Sequence, residues 1–121
     1  MATWGEIIQT VFDSATSAFK VKLVSDSSFQ STSASVTSVD DSNTVQTLLA
    51  ANTSRKGYKI YNDSTVTLYV KLGTSATTTD YSFQIAPNGF YENVAGGVHT
   101  GAITGIWSAN ASGAAKITEL T

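Results

Sequence analysis

The chain has 121 residues, a formal charge of −2 with 13% charged residues, and no cysteine. That length fits one domain able to bury a core unaided. The missing cysteines exclude a disulfide framework or a thiolate metal site, and the lack of a basic excess argues against a nucleic-acid partner.

Serine and threonine together number 34, whereas Lys, Glu and Arg are sparse. Helices favour the latter group, and strands, turns and extended arms favour the former, so a mainly β protein is expected. No stretch approaches the roughly 18 apolar residues of a membrane span. Residues 1–6 show neither the basic region nor the apolar run of a signal peptide. Synthesis in a cytoplasm, as a soluble protein without membrane association, is the expectation.

Residues 3–12 read as a short helix, because Trp4, Ile7, Ile8, Val11 and Phe12 form one apolar stripe. Thr3 and Glu6 have capping-box spacing, and Gly5 weakens the first turn by about 1 kcal/mol. So short a helix is marginal alone and its stripe needs a surface, either the chain's own sandwich or another subunit. Phe19, Val21 and Leu23 then alternate with Lys20 and Lys22, the pattern of a strand suited to an exposed edge. From 25 to 35 the sequence is too polar for burial to offset ordering entropy. Residues 1–30 are therefore expected to be an arm of short helix plus strand. Residues 31–43 read as a linker and first weak strand, ended by Asp40-Asp41-Ser42-Asn43, and residues 44–121 as a β body.

In that body a strand is predicted over 44–50, then a turn at Ala51-Asn52-Thr53-Ser54. Residues 55–73 read as a core hairpin. Tyr58 and Ile60 alternate with Lys59 and Tyr61, Asn62-Asp63-Ser64 has turn chemistry, and Val66, Leu68, Val70 and Leu72 share one face. After a loop, Tyr81, Phe83 and Ile85 alternate as core residues. Ala86-Pro87-Asn88-Gly89 is a β-turn by its Pro and Gly positions, and 90–94 returns as a strand. Residues 102–109 read as a buried strand with Trp107 in or at the rim of the core, and 114–120 as the last strand. Seven or eight short strands separated by Gly, Asn and Ser turns predict an antiparallel β-sandwich or jelly-roll-like body.

No catalytic, cofactor-binding or metal site is expected. The single histidine, His99, sits in a glycine-rich loop where solvation is the expectation, and one His does not make a metal site. No Gly-x-Ser-x-Gly elbow occurs. Asp40 and Asp41 read as turn residues and lack the glycine and closing glutamate of a calcium loop. Three glycosylation sequons, at Asn52, Asn62 and Asn110, are what chance produces in so Ser/Thr-rich a chain. Tyr61 and Tyr69 fall on the polar faces of the two strands of the expected hairpin, beside Lys59 and Lys71. They are open to three readings: a cross-strand pair, a subunit contact, or a platform for a sugar.

The run Arg55-Lys56-Gly57-Tyr58-Lys59-Ile60-Tyr61-Asn62-Asp63-Ser64, followed by Leu68-Tyr69-Val70-Lys71-Leu72-Gly73, resembles a recurring sequence in small virion proteins of tailed bacteriophages. Pro87-Asn88-Gly89-Phe90-Tyr91-Glu92, Thr100-Gly101-Ala102-Ile103-Thr104-Gly105-Ile106-Trp107 and Ala114-Ala115-Lys116-Ile117-Thr118-Glu119-Leu120 fit as well, so the resemblance covers residues 44–121. The leading segment, Ile7 to Thr16 with Phe19-Lys20-Val21, is similar to the starts of phage head and tail appendage proteins. His99 departs from the pattern, since such sequences often carry Tyr before Thr-Gly.

The resemblance implies a non-enzymatic virion component. Its expected form is a capsid decoration (cement) protein, a homotrimer seated over junctions of the major capsid protein. The alternatives are a neck or tail-fibre adaptor and a host-glycan-binding module. Contact through the arm would bury its apolar stripe and add avidity.

Overall fold

The computed structural model describes residues 29–121 of the chain. The helix and strand read in the arm, with Trp4, Ile7, Ile8, Val11, Phe12, Phe19, Val21 and Leu23, lie outside the described residues. Eight strands follow: β1 Ala34–Asp40, β2 Gln46–Leu49, β3 Gly57–Asp63, β4 Leu68–Leu72, β5 Phe83–Ile85, β6 Phe90–Glu92, β7 Ile103–Trp107 and β8 Ala114–Leu120. They form two antiparallel four-stranded sheets, ordered β1-β8-β3-β6 and β2-β7-β4-β5. This is a mainly β, antiparallel sandwich whose strand order is that of an eight-stranded jelly roll.

Alternation along each strand explains the two layers. Tyr58, Ile60 and Asn62 of β3 and Ala115 and Ile117 of β8 point inward from the first sheet. Leu68 and Val70 of β4 and Ile103 and Trp107 of β7 point inward from the second. These residues make one continuous apolar core with Leu48, Leu49 and Ile85. In β2 the register shifts between Thr47 and Leu49, so the consecutive Leu48 and Leu49 are both buried. A bulge of this kind breaks strict alternation.

The hairpin expected over 55–73 does not form. β3 and β4 belong to different sheets, and the chain between them turns a corner of the sandwich. Both strands have the predicted alternation, but their apolar faces meet across the interior rather than lying side by side. Asn62 supplies the physical reason. Its amide, fully buried, donates to the carbonyls of Val66 (2.8 Å) and Ile85 (3.0 Å) and accepts from the Trp107 indole N–H (3.1 Å). Asn62 therefore belongs to β3 while its side chain is satisfied by Ile85 and Trp107 of the opposite sheet and by Val66 of the connection that crosses to it. Because it is buried, its sequon is closed to glycosylation. Instead of β4, β3 pairs with β8 along its whole length and with β6 at Lys59–Tyr61.

Three further expectations change. Tyr81 lies before β5 and is 38% exposed rather than core, while Phe83 is half-buried and stacks on Tyr91 with ring centroids 3.9 Å apart. The strand expected over 90–94 ends at Glu92, and Val94 is exposed. The first strand is weak only in composition. Ala34 to Asp40 pair residue by residue with β8, although Val39 alone is half-buried. Backbone pairing with a well-anchored neighbour, rather than side-chain burial, holds it.

Candidate functional site

Each end of the sandwich gathers loops from both sheets, and one polar side chain organises each gathering, buried in one case and half-buried in the other. At one end stands Arg55, the only arginine of the chain and 2% exposed. Its Nε donates to Glu119 (2.8 Å), and its Nη1 donates to the carbonyls of His99 (2.7 Å) and Gly101 (2.9 Å). Nη2 donates to the carbonyl of Ala50. Glu119 also accepts from the Asn52 amide (3.2 Å). A guanidinium presents several donors in a fixed fork, and here the fork fastens the β2–β3 and β6–β7 loops to β8. A buried arginine is tolerable only when paired in this way.

His99 departs from the solvated loop residue expected. It is half-buried, its Nε2 is enclosed, and that atom has no hydrogen-bond partner among the described residues. The imidazole lies against Gly101, where an added Cβ would meet Nε2 at 2.8 Å.

At the opposite end Asp41 accepts from the Ser64 hydroxyl (2.6 Å) and from the backbone N–H groups of Ala111 (3.0 Å) and Gly113 (3.1 Å). Desolvation works to raise this carboxyl, but the three hydrogen bonds outweigh it and hold it below its ordinary value. Asp41 thus knots the β1–β2, β3–β4 and β7–β8 corners together. The β5–β6 turn joins through backbone bonds, Asn88 N–H to Asn62 O (2.8 Å) and Asn62 N–H to Gly89 O (2.9 Å). That turn closes from Gly89 N–H to Ala86 O (2.9 Å), with Asn88 at φ +62°. Pro87 before it gives a type II geometry. Gly113 has no space for a side chain, since a Cβ would meet the Asp63 carbonyl at 2.4 Å.

Between these fixed corners lies a cleft of about 530 Å³, lined by Asp63, Ser64, Thr65, Asn88, Ala111, Ser112 and Gly113. Beside it, on the outer face of the first sheet, Tyr61 pairs in register with Phe90, and the Tyr61 hydroxyl donates to the Asn88 side chain (3.3 Å). Phe90 is 66% exposed, with the Lys59 ammonium 5.7 Å from its ring centre and Glu92 beyond at 3.9 Å.

The four surface candidates are therefore split. Lys59 and Tyr61 share the outer face of the first sheet, whereas Tyr69 and Lys71 lie on the outer face of the second. No cross-strand pair or joint platform of Tyr61 and Tyr69 exists. The second face is also covered by its own loop. Thr104 donates to Gly73 O and accepts from Ala76 N–H, Lys71 pairs with Asp80 at 2.5 Å, and Tyr69 packs edge-on against Tyr81 at 4.9 Å.

Sequence reasoning missed Arg55, Asn62 and Asp41 as organising residues. For Arg55 the available signal was its uniqueness; Asn62 and Asp41 read as ordinary turn residues because their partners lie far along the chain. Among the described residues there is no cluster of three His, Cys, Asp or Glu side chains placed to hold a metal ion.

No family model matches the chain, and neither a curated protein nor a solved structure matches it.

Proposed function

We propose that the chain is a non-enzymatic structural component of a bacteriophage virion, a capsid decoration protein that acts as a homotrimer on the major capsid protein. The observation that carries this reading is how its polar interior is used. Arg55, Asp41 and Asn62, the polar groups with the most side-chain hydrogen bonds to other segments, are all engaged in fixing loops. What remains is a rigid block with apolar side chains on its outside, Val36 (69% exposed), Phe90 and Val94. Rigid surfaces with protruding apolar residues lose little entropy on docking, which suits repeated contact in a shell. The resemblance of residues 44–121 to small virion proteins points the same way. So, as a fold-level analogy only, does the jelly-roll strand order, which recurs in viral capsid proteins.

The test is binding of the full chain, and of residues 31–121, to purified capsids and separately to isolated tails. Saturation of capsids at a copy number matching the shell's symmetry supports the decoration role, and loss of binding without residues 1–30 places the contact there. Binding to tails alone, at the copy number of a ring, replaces it with the adaptor role. Binding to neither refutes a virion contact.

A further inference from the structure

The cleft at the Asp63 end combines fixed walls with solvent-exposed polar groups that make no hydrogen bond among the described residues. Asp41 and Asn62 hold its corners by hydrogen bonds that involve neither solvent-facing oxygen of Asp63. Among the described residues the Asp63 carboxylate, the Asn88 Nδ2 and the hydroxyls of Thr65 and Ser112 have no hydrogen-bond partner, although all four residues line the cleft. The Asn88 amide is oriented by its bond from Tyr61, which takes Oδ1 and leaves the N–H₂ group to the cleft. On β3, Tyr61 and Asp63 point the same way, and Phe90 lies directly across from Tyr61. One polar notch and one exposed aromatic ring therefore adjoin.

We propose that this notch and the Tyr61–Phe90 shelf form a binding site for a neutral pyranose, a single hexose unit of a surface polysaccharide. The chemistry of such a ring has two sides. Its hydroxyls each donate and accept, so neighbouring hydroxyls are matched by an acceptor-only carboxylate beside a donor amide and hydroxyls of either sense. Its C–H face is apolar and electropositive, and it lies against the negative face of an aromatic ring. Asp63, Asn88, Thr65 and Ser112 supply the first, and Phe90 and Tyr61 the second. The nearest charges set the preference for a neutral sugar. Asp63 and, in the same cross-sheet row, Asp40 repel a uronate or sialate, while among the described residues the two cations of this face are engaged: Lys116 with the Ser38 hydroxyl at 3.0 Å, and Lys59, above Phe90, with Glu92 at 3.9 Å. The cleft volume accommodates a single ring with its first-shell water. The site shares Phe90 with the apolar surface offered for the virion role, but its polar notch is separate from that surface.

The experiment is an amide NMR titration of the full-length chain with the methyl glycosides of glucose, galactose and mannose and with N-acetylglucosamine, at millimolar concentrations. The expected result is saturable shifts for at least one sugar, confined to Asp63, Ser64, Thr65, Asn88, Ser112 and Gly113 of the notch and to Tyr61 and Phe90 of the shelf. Asp63→Ala and Phe90→Ala, both changes to solvent-facing side chains, should each weaken that binding at least about tenfold, the scale of one charge-assisted hydrogen bond or a lost stacking face. Gln84→Ala, on the outer face of the other sheet, should leave it unchanged. Three results overturn the proposal: no saturable shift with any of the four sugars, shifts centred on the β4–β5 face, or unaltered affinity in both variants. The same local shifts produced by calcium chloride alone, with sugars adding nothing, would make the notch a cation site and overturn it equally. Capsid binding retained in Asp63→Ala keeps the two functional readings separable.

Discussion

Replacing Asn62 by Ala is the sharpest test of why the chain turns a corner after β3. The substitution removes three side-chain hydrogen bonds, to Val66 O, Ile85 O and from Trp107 Nε1, in a place with no access to water. Each such bond contributes about 1 kcal/mol net, and a buried donor left without its acceptor costs a further ~1–3 kcal/mol. The Trp107 indole N–H is that donor, because Trp107 is fully buried. The sum is about 4–6 kcal/mol, a large part of the ~5–15 kcal/mol that stabilises a typical domain. Urea unfolding followed by tryptophan fluorescence measures it. With a slope of roughly 2 kcal/mol per molar, the midpoint should fall by about 2–3 M. Asn62→Asp should be no better. It restores an acceptor for Trp107 but sets a carboxylate against two carbonyl oxygens, and acidification should partly rescue it by supplying a proton to donate. A loss under about 1 kcal/mol for Asn62→Ala, with Trp107 still buried, would refute the claim that Asn62 ties the two sheets.

Three other outcomes follow from the same bonds. Arg55→Lys keeps the charge but not the fork that reaches Glu119, His99, Gly101 and Ala50 together, and should lower Tm by roughly 10–20 °C in a calorimetric scan; an unchanged Tm would mean the fork is dispensable. Asp41, whose carboxyl is held below its ordinary 3.8, contributes stability that is present above that value and lost as pH falls through its lower folded-state pKa. Asp41→Asn should therefore be less stable near neutrality and show a flatter acid limb in urea midpoints against pH. Burial, reinforced by the Tyr91 phenol, pushes the Tyr58 phenol from 10.0 up to about 12. Folding then favours the protonated form, so its contribution is intact below pH 10 and lost as pH rises towards 12. Tyr58→Phe should remove that alkaline loss; an identical alkaline limb in the variant would assign it to another group.

Local pattern made most elements legible. The strand β8 was readable from 114 to 120 and Trp107 as core, because alternation and an apolar run report burial directly. The turn at Ala86 to Gly89 was readable from Pro87 and Gly89, which fix backbone angles locally. The candidate cleft was legible only in fragments. Tyr61 stood out as a surface aromatic, but nothing adjacent in sequence indicated that Asn88, some 27 residues on, would take its hydroxyl, or that Ser112 would face Asp63.

The sequence by itself determined that this is a mainly β chain, roughly where its strands run, and that Tyr58, Ile60, Leu68, Val70 and Trp107 face inward, though not that Asn62 does or that Tyr81 does not. Those properties follow from period-two alternation and turn chemistry, both of which act over a few residues. Only the tertiary structure decided which strands are neighbours. The same alternation in β3 and β4 is compatible with a hairpin or with two facing sheets, and satisfaction of buried polar groups chooses between them. Asn62 finds Ile85 and Trp107 in the opposite sheet, Asp41 finds its partners 23 to 72 residues away, and Arg55 finds Glu119 at a separation of 64. Such long-range hydrogen bonds leave no periodic trace in a sequence, yet an unsatisfied group in a dry interior costs enough to decide the path of the chain.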